Sequence, residues 1–280
     1  WTPAMPYLAL PVLTAFLRTH GIEVIQRDLN VETYDTVLSR AYLEQSLERL
    51  RADYAQAHKR KQALPDKIEW AFAEGPWLAA QIDAAKNVFR SPAFYDGEKS
   101  LEAFAVIMQS LELASLPFHP AHLDFLYYTP ATPVDSSRYL LEGVRDPKHN
   151  LFYDVFQRDI VADIVRERPG IVGISIPTMG QMFAGMTLAH LVKQTGLTCH
   201  IPVGGPHISM LREQIPQAPL LFELIDSAVI FDGETPLLKL AEALDGKGAM
   251  DQVPNLIHRT NGKIQVNATQ MHPDASTTVT

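Results

Sequence analysis

The sequence predicts an α/β fold: a doubly wound parallel sheet with helices on both faces, a large helical insertion and a carboxyl-terminal β-hairpin. Three observations predict it. In roughly the last 120 residues, short apolar runs rich in β-branched residues alternate with amphipathic stretches. At the start, a helical pattern passes directly into a strand-like one, and between the two regions residues 31–165 read as helices.

Residues 8–18 form the first expected helix, with Pro6 ahead of it and Gly21 placed to end it; residues 23–29 (EVIQRDL) follow as a strand. Doubly wound domains open on a strand, which in the flavodoxin-like (Rossmann-like) order lies between the second and third. A first strand is therefore expected to be missing ahead of Trp1. Residues 31–64 are rich in Leu, Glu, Arg and Ala, and 67–73, 77–90 and 98–114 continue as helices, punctuated by Pro65, Pro76 and Pro92. Residues 118–133 are irregular and aromatic. Phe152, Phe156, Ile160 and Ile164 then recur every four residues on a helix, so that about 31–165 reads as an insertion between strands two and three.

Residues 170–176 (GIVGISI), 200–203 and 228–231 are apolar on successive positions, as strands buried on both faces are. Between them, 181–195 carries Met182, Met186, Ala189 and Val192 at helical spacing, and 235–244 does so with Leu238, Ala241 and Leu244. Strand, helix, strand in succession implies right-handed crossovers and parallel pairing. Residues 255–259 and 263–267 flank Thr260-Asn261-Gly262, a strong hairpin signal. The expected division is 1–250 for the α/β domain and 251–280 for the hairpin and a linker.

Composition sets the outer limits. With 46% apolar and 20% charged residues in 280, the chain is neither disordered nor collagen-like, and it has material for one large domain or two ordinary ones. Lys plus Arg number 24 against 32 Asp plus Glu, and the net charge of -8 leaves no basic footprint for nucleic acid or an anionic membrane. No basic-then-apolar leader opens the chain and no window holds the roughly 18 uninterrupted apolar residues of a membrane span, so a cytoplasmic location is expected. Cys199 is the lone cysteine: it forms no internal disulfide and no thiolate cluster. The opening Trp1-Thr2-Pro3 and the polar run 274–280 read as cut ends of a fragment.

Three loops carry the candidate chemistry, each at the carboxyl end of an expected strand, the edge at which open α/β sheets bind ligands. In Ser175-Ile176-Pro177-Thr178-Met179-Gly180-Gln181, Ser175 is a ligand donor or a structural residue, and Thr178 is a contact or a plain N-cap. In Val203-Gly204-Gly205-Pro206-His207, the glycines serve either a bulky planar ligand lying on bare backbone or a tight turn, and His207 reads as a helix-start residue rather than an acid-base group. In Asp232-Gly233-Glu234-Thr235-Pro236, Thr235-Pro236 looks like an N-cap and first helical proline. No GxxxxGK[ST], GxGxxG or HExxH motif occurs, and no residue is singled out as catalytic or as a metal ligand; His119 and His122 read as structural.

The order MPYLALPVLTAFLRTHGIEVIQRDLN, RPGIVGISIPTMGQM, IPVGGPHIS, VIFDGETPLLKLAEAL and NLIHRTNGKIQVN resembles the amino-terminal cobalamin-binding domain of cobalamin-dependent radical S-adenosylmethionine (radical SAM) enzymes. The resemblance implies a flavodoxin-like domain that holds cobalamin on the carboxyl edge of its sheet. In the same polypeptide, a radical SAM barrel binds S-adenosylmethionine and a four-iron four-sulfur cluster through CxxxCxxC. With only Cys199, this chain lacks that motif and is not expected to turn over alone. Carried over, Ser175, Gly204 and Gly205 match the serine and double glycine that hold the nucleotide tail of cobalamin, with Ile176, Thr178, Gln181 and Pro206 in the same loops. Gly233, Glu234 and Thr235 match the loop bordering the tail or corrin edge. The chain departs from the wider fold in having Ser175-Ile176-Pro177 for Ser-x-Leu, and in lacking Asp-x-His-x-x-Gly. Cobalt is therefore expected to have no histidine from the protein, with Trp1 or Met5 near the lower corrin face, and the chemistry implied is of the methyltransferase type. A docking or substrate-binding module that has kept the fold without cobalamin is the alternative, and a sugar-nucleotide or flavin enzyme ranks below it.

Overall fold

A computed structural model describes residues 7–60 and 67–270. The described residues divide into two compact units, one within 28–158 and the other of 7–27 together with 159–270. Helix α1 (Ala9–Thr19) ends as expected: Gly21 adopts φ +77°, its N–H and that of Ile22 capping the Arg18 and Leu17 carbonyls. The strand expected at 23–29 is not formed. No described strand pairs with this stretch, Ile25 is 62% exposed, and the Asp28 carboxylate accepts the N–H groups of Asn30 and Val31, so that Leu29 opens a helix instead.

The unit of residues 28–158 is helical apart from one short strand pair. It contains α2 (Leu29–Val37), α3 (Arg40–Arg60), α4 (Ile68–Phe89) and α5 (Gly97–Ser115), then β1 (His122–Leu123) antiparallel to β2 (Tyr128–Thr129), α6 (Ser137–Val144) and α7 (Leu151–Val155). Residues 61–66, including the end of the helix expected to reach Leu64 and Pro65, lie outside the described residues. α3, α4 and α5 pack on one another, and Gly75 sets the closest approach: a Cβ there would lie 2.6 Å from Leu47 Cδ2. Pro76 was expected to separate two helices, yet α4 runs through it. Pro76 is exposed while Ala71, Gly75, Leu78, Ala79 and Ile82 form an unbroken buried face, so the bond it forfeits lies on the side where water replaces it. By length and composition Gly97–Phe118 alone among the described helices could cross a membrane, but 56% of its most apolar 18-residue window is buried and α5 packs against α3 and α4.

A π-turn over Phe156–Ile160 interrupts the helix expected from the Phe152, Phe156, Ile160 spacing and leads to α8 (Val161–Glu167). Then come β3 (Ile174–Ser175), α9 (Met179–Gln194), β4 (Pro202–Gly204), α10 (Pro206–Met210), β5 (Ser227–Val229), α11 (Glu234–Leu244), β6 (Leu256–Thr260) and β7 (Lys263–Val266). β3, β4 and β5 are parallel neighbours, and bonds from Gly170 to Ile176 extend the pairing over the whole predicted run. The sheet as a whole is mixed, in the order β3-β4-β5-β6-β7. The hairpin is no appendage: β6 pairs antiparallel with β5, and Asn261 (φ +52°) and Gly262 (φ +78°) make the turn that their dipeptide announces. Val229, Leu240, Val253 and Leu256 close the core where α11 covers one face of the sheet. On the other face, Gly185 lets α9 settle onto β3, its missing Cβ only 2.8 Å from Ile176 Cδ1.

Pro76→Ala restores a backbone donor on an exposed helical face and is expected to stabilise the protein by about 1–3 kcal/mol. Chemical denaturation measures this, and a loss of stability would contradict the account of α4.

Candidate functional site

Because β3, β4 and β5 are adjacent and parallel, their carboxyl ends bring the three loops to one edge of the sheet. Ser175 and Gly204 are register partners, and Val203 pairs with Ala228, which sets Val229 beside Gly204. Ile174 and Ile176 face α9 through Gly185, so alternation turns Ser175 to the opposite face. Ser175, Gly204 and Val229 thus form a row across that face, with Gly204 as its gap. The Ser175 hydroxyl makes no hydrogen bond to the described residues.

The two glycines are not equivalent. Gly205 has φ +106°, and a Cβ there would lie 2.7 Å from the Ile176 carbonyl oxygen and 3.0 Å from its nitrogen. Packing of one strand end on the next therefore requires Gly205 without any ligand. At Gly204 a Cβ would meet only Val229, at 3.4 Å to its oxygen, an ordinary contact, and no special φ is needed. Ile176 and Pro206 are also accounted for internally. The Ile176 side chain is fully buried and its N–H donates to the Gly204 carbonyl at 2.7 Å, while Pro206 is the first residue of α10 after the Gly205 cap.

The first turn of α9 differs. Thr178 occupies the N-cap position but its hydroxyl caps nothing: Thr178 Oγ1 and Gln181 Oε1 are both buried without a hydrogen-bond partner among the described residues. Such groups cost roughly 1–3 kcal/mol each when left unpaired, and helix amino termini already hold surplus N–H donors. Met179, between them in sequence, is 71% exposed.

In the third loop the expected capping is displaced by two residues. Gly233 is the N-cap of α11, Glu234 opens the helix, Thr235 lies second and Pro236 is buried third. Gly233 lies close to α1: a Cβ there would come within 3.2 Å of Leu13 Cδ2, a contact that the leucine tip would have to ease by a few tenths of an ångström. Glu234 and Thr235 are half-buried, with Glu234 in the first turn, where the helix dipole favours a carboxylate. Trp1 and Met5 lie outside the described residues. Burial holds His207 below the usual histidine range.

A residue that the motif reading passes over ties two of the loops together. Ser209 Oγ donates to the Gly205 carbonyl at 3.1 Å and accepts the Phe231 N–H at 2.8 Å, holding Phe231 at φ +62°. For an aromatic residue that left-handed backbone costs about 1–2 kcal/mol. Nothing in the sequence announces it, because Ser209 follows the glycine motif in an ordinary helical turn.

No family model, no curated protein and no solved structure matches this chain. Among the described residues no three His, Cys, Asp or Glu side chains come together as a metal site.

Gly205→Ala is expected to destabilise the protein by about 2–4 kcal/mol through backbone collision and strain, whereas Gly204→Ala should be neutral or stabilising by up to about 1 kcal/mol. Thermal or urea unfolding of the pair measures the difference; equal losses would contradict the assignment.

Proposed function

We propose that the sheet edge formed by the three loops binds cobalamin, as the cobalamin-binding domain of a cytoplasmic radical SAM enzyme of the methyltransferase type. Under this reading β3, β4 and β5 are the third to fifth strands of a flavodoxin-like domain, and the helical residues about 31–165 are an insertion in it. The observation that carries the proposal is the pair of buried oxygens of Thr178 and Gln181, past the carboxyl end of β3, that have no hydrogen-bond partner among the described residues.

The residues present fit the group. Thr178, Gln181 and the unengaged Ser175 hydroxyl would hydrogen-bond the polar nucleotide tail, and the gap at Gly204 would let the tail lie against the strand. Glu234 and Thr235 would border it from the next loop, and the exposed Met179 would offer apolar surface to the ring. Gly205, Ile176, Pro206 and Gly233 would act at one remove, by fixing where the loops stand. When bound, cobalamin would supply a transferable methyl group, and the protein's part is position and exclusion of water. S-adenosylmethionine and the four-iron four-sulfur cluster would belong to a barrel that supplies CxxxCxxC.

One observation favours a second reading. Because several loop residues are explained by packing alone, a docking module without cobalamin would retain them. Gly204→Leu separates the two: it fills the gap but leaves the Gly205 contact intact. The protein mixed with hydroxocobalamin should keep about one equivalent of pigment through gel filtration with an altered visible spectrum. Gly204→Leu should lose it, with binding weakened at least about tenfold. Absence of retained pigment in the unsubstituted protein overturns the proposal.

A further inference from the structure

β3 stands at one edge of the sheet, and its backbone hydrogen bonds divide between its two sides. Toward β4, Val172 donates to the His200 carbonyl and the Gly170 carbonyl accepts the His200 N–H, both at 2.9 Å, while Ile176 donates to Gly204 at 2.7 Å. Residues 170, 172, 174 and 176 therefore face β4, with Ile174 in register with Val203. In an extended strand the intervening residues point their N–H and C=O groups the other way. The backbone groups of Ile171, Gly173 and Ser175 thus line the outer edge, and none makes a hydrogen bond to a described residue.

This outer edge also lacks cover. On the inner strands Val203, Ala228 and Val229 are 4% exposed or less, whereas Ile171 and Val172 are only half-buried and Gly170 and Gly173 are exposed. A Cβ at Gly170 or Gly173 would meet nothing within 4 Å. Exposed edge strands are commonly guarded by charge, above all lysine, or by proline. The other edge of the sheet follows that rule, since β7 carries Lys263 and Gln265 at exposed positions. The run GIVGISI at 170–176 has neither charge nor proline.

We infer that the outer edge of β3 is a strand-acceptor site, which takes up an extended, uncharged, β-branched segment of another polypeptide as a further strand of the sheet. Pairing with the backbone of Ile171, Gly173 and Ser175 supplies the bonds, so the edge needs no polar side chain of its own. The bare glycines leave room for the incoming side chains, and a charge in the middle of the segment would be desolvated beside Ile171 and Val172. A second copy of this chain would offer only the same glycine-interrupted run, which covers the edge poorly. The inference does not rest on the cobalamin reading, which concerns the Ser175 hydroxyl and not its backbone.

The test uses the intact chain and the peptide fluorescein-KTVIVVTK-amide, whose end lysines serve solubility. Binding is followed by fluorescence anisotropy, and amide exchange of Ile171, Gly173 and Ser175 by nuclear magnetic resonance. Saturable binding is expected, with exchange slowed at those three amides. Gly173→Pro removes an outer donor without touching the bonds to β4; it should fold, yet bind at least about tenfold more weakly. Gly173→Ala keeps the donor and should bind within about twofold of the parent. Methylating one alternate set of the peptide's backbone nitrogens should abolish binding. The inference is overturned if the peptide does not saturate, if a folded Gly173→Pro binds as well as the parent, or if neither N-methylated form is weakened. Slow exchange at these amides in the free monomer would place another segment of the same chain on the edge, and dimers protected there would place a second copy; either result also overturns it.

Discussion

The contact on which the site depends is backbone on backbone: Gly205 lies against Ile176 with no room for a side chain, and Ile176 donates its N–H to Gly204. This contact joins the ends of β3 and β4 beyond their last paired residues. Ser209 then carries the connection onward, from the Gly205 carbonyl to the Phe231 N–H at the end of β5. Three loops that would otherwise move separately are thereby held along one edge. The groups proposed to bind, Ser175, Thr178 and Gln181, are presented by residues that do not themselves need to bind anything.

The two ends of the sheet make opposite use of polar groups. At the carboxyl edge, buried oxygens on Thr178 and Gln181 stand without partners among the described residues, a deficit that a polar ligand would remove. At the amino edge nearly every polar group is saturated, through Lys193 and Asp226, His258, Thr260 and Asn267. The first arrangement suits an extended ligand with several polar groups, and the second calls for none.

Much of the architecture was legible because it depends on short-range chemistry. Asn261-Gly262 dictated its turn, Gly21 ended α1, and the runs at 170, 200 and 228 became parallel neighbours because uninterrupted apolar residues need cover on both faces. The errors came where tertiary context decided. Residues 23–29 have a strand's composition but no pairing partner among the described residues, and Asp28 captures the next turn as a helix cap. Pro76 reads as a breaker until its neighbours are seen to bury the opposite face of α4. Within the candidate site, the sequence reading treats Gly204 and Gly205 as one motif. Only the positive φ of Gly205 and its distance to Ile176 divide them into a packing glycine and a gap.

The central claim, that the unpartnered oxygens at the start of α9 await a polar ligand, is tested most directly by hydrogen–deuterium exchange of the intact protein with and without hydroxocobalamin. Slower exchange in peptides covering residues 176–182 and 203–206, at one equivalent of pigment, is the predicted result. Unchanged exchange in both segments while the pigment is bound, or no bound pigment at all, would contradict it.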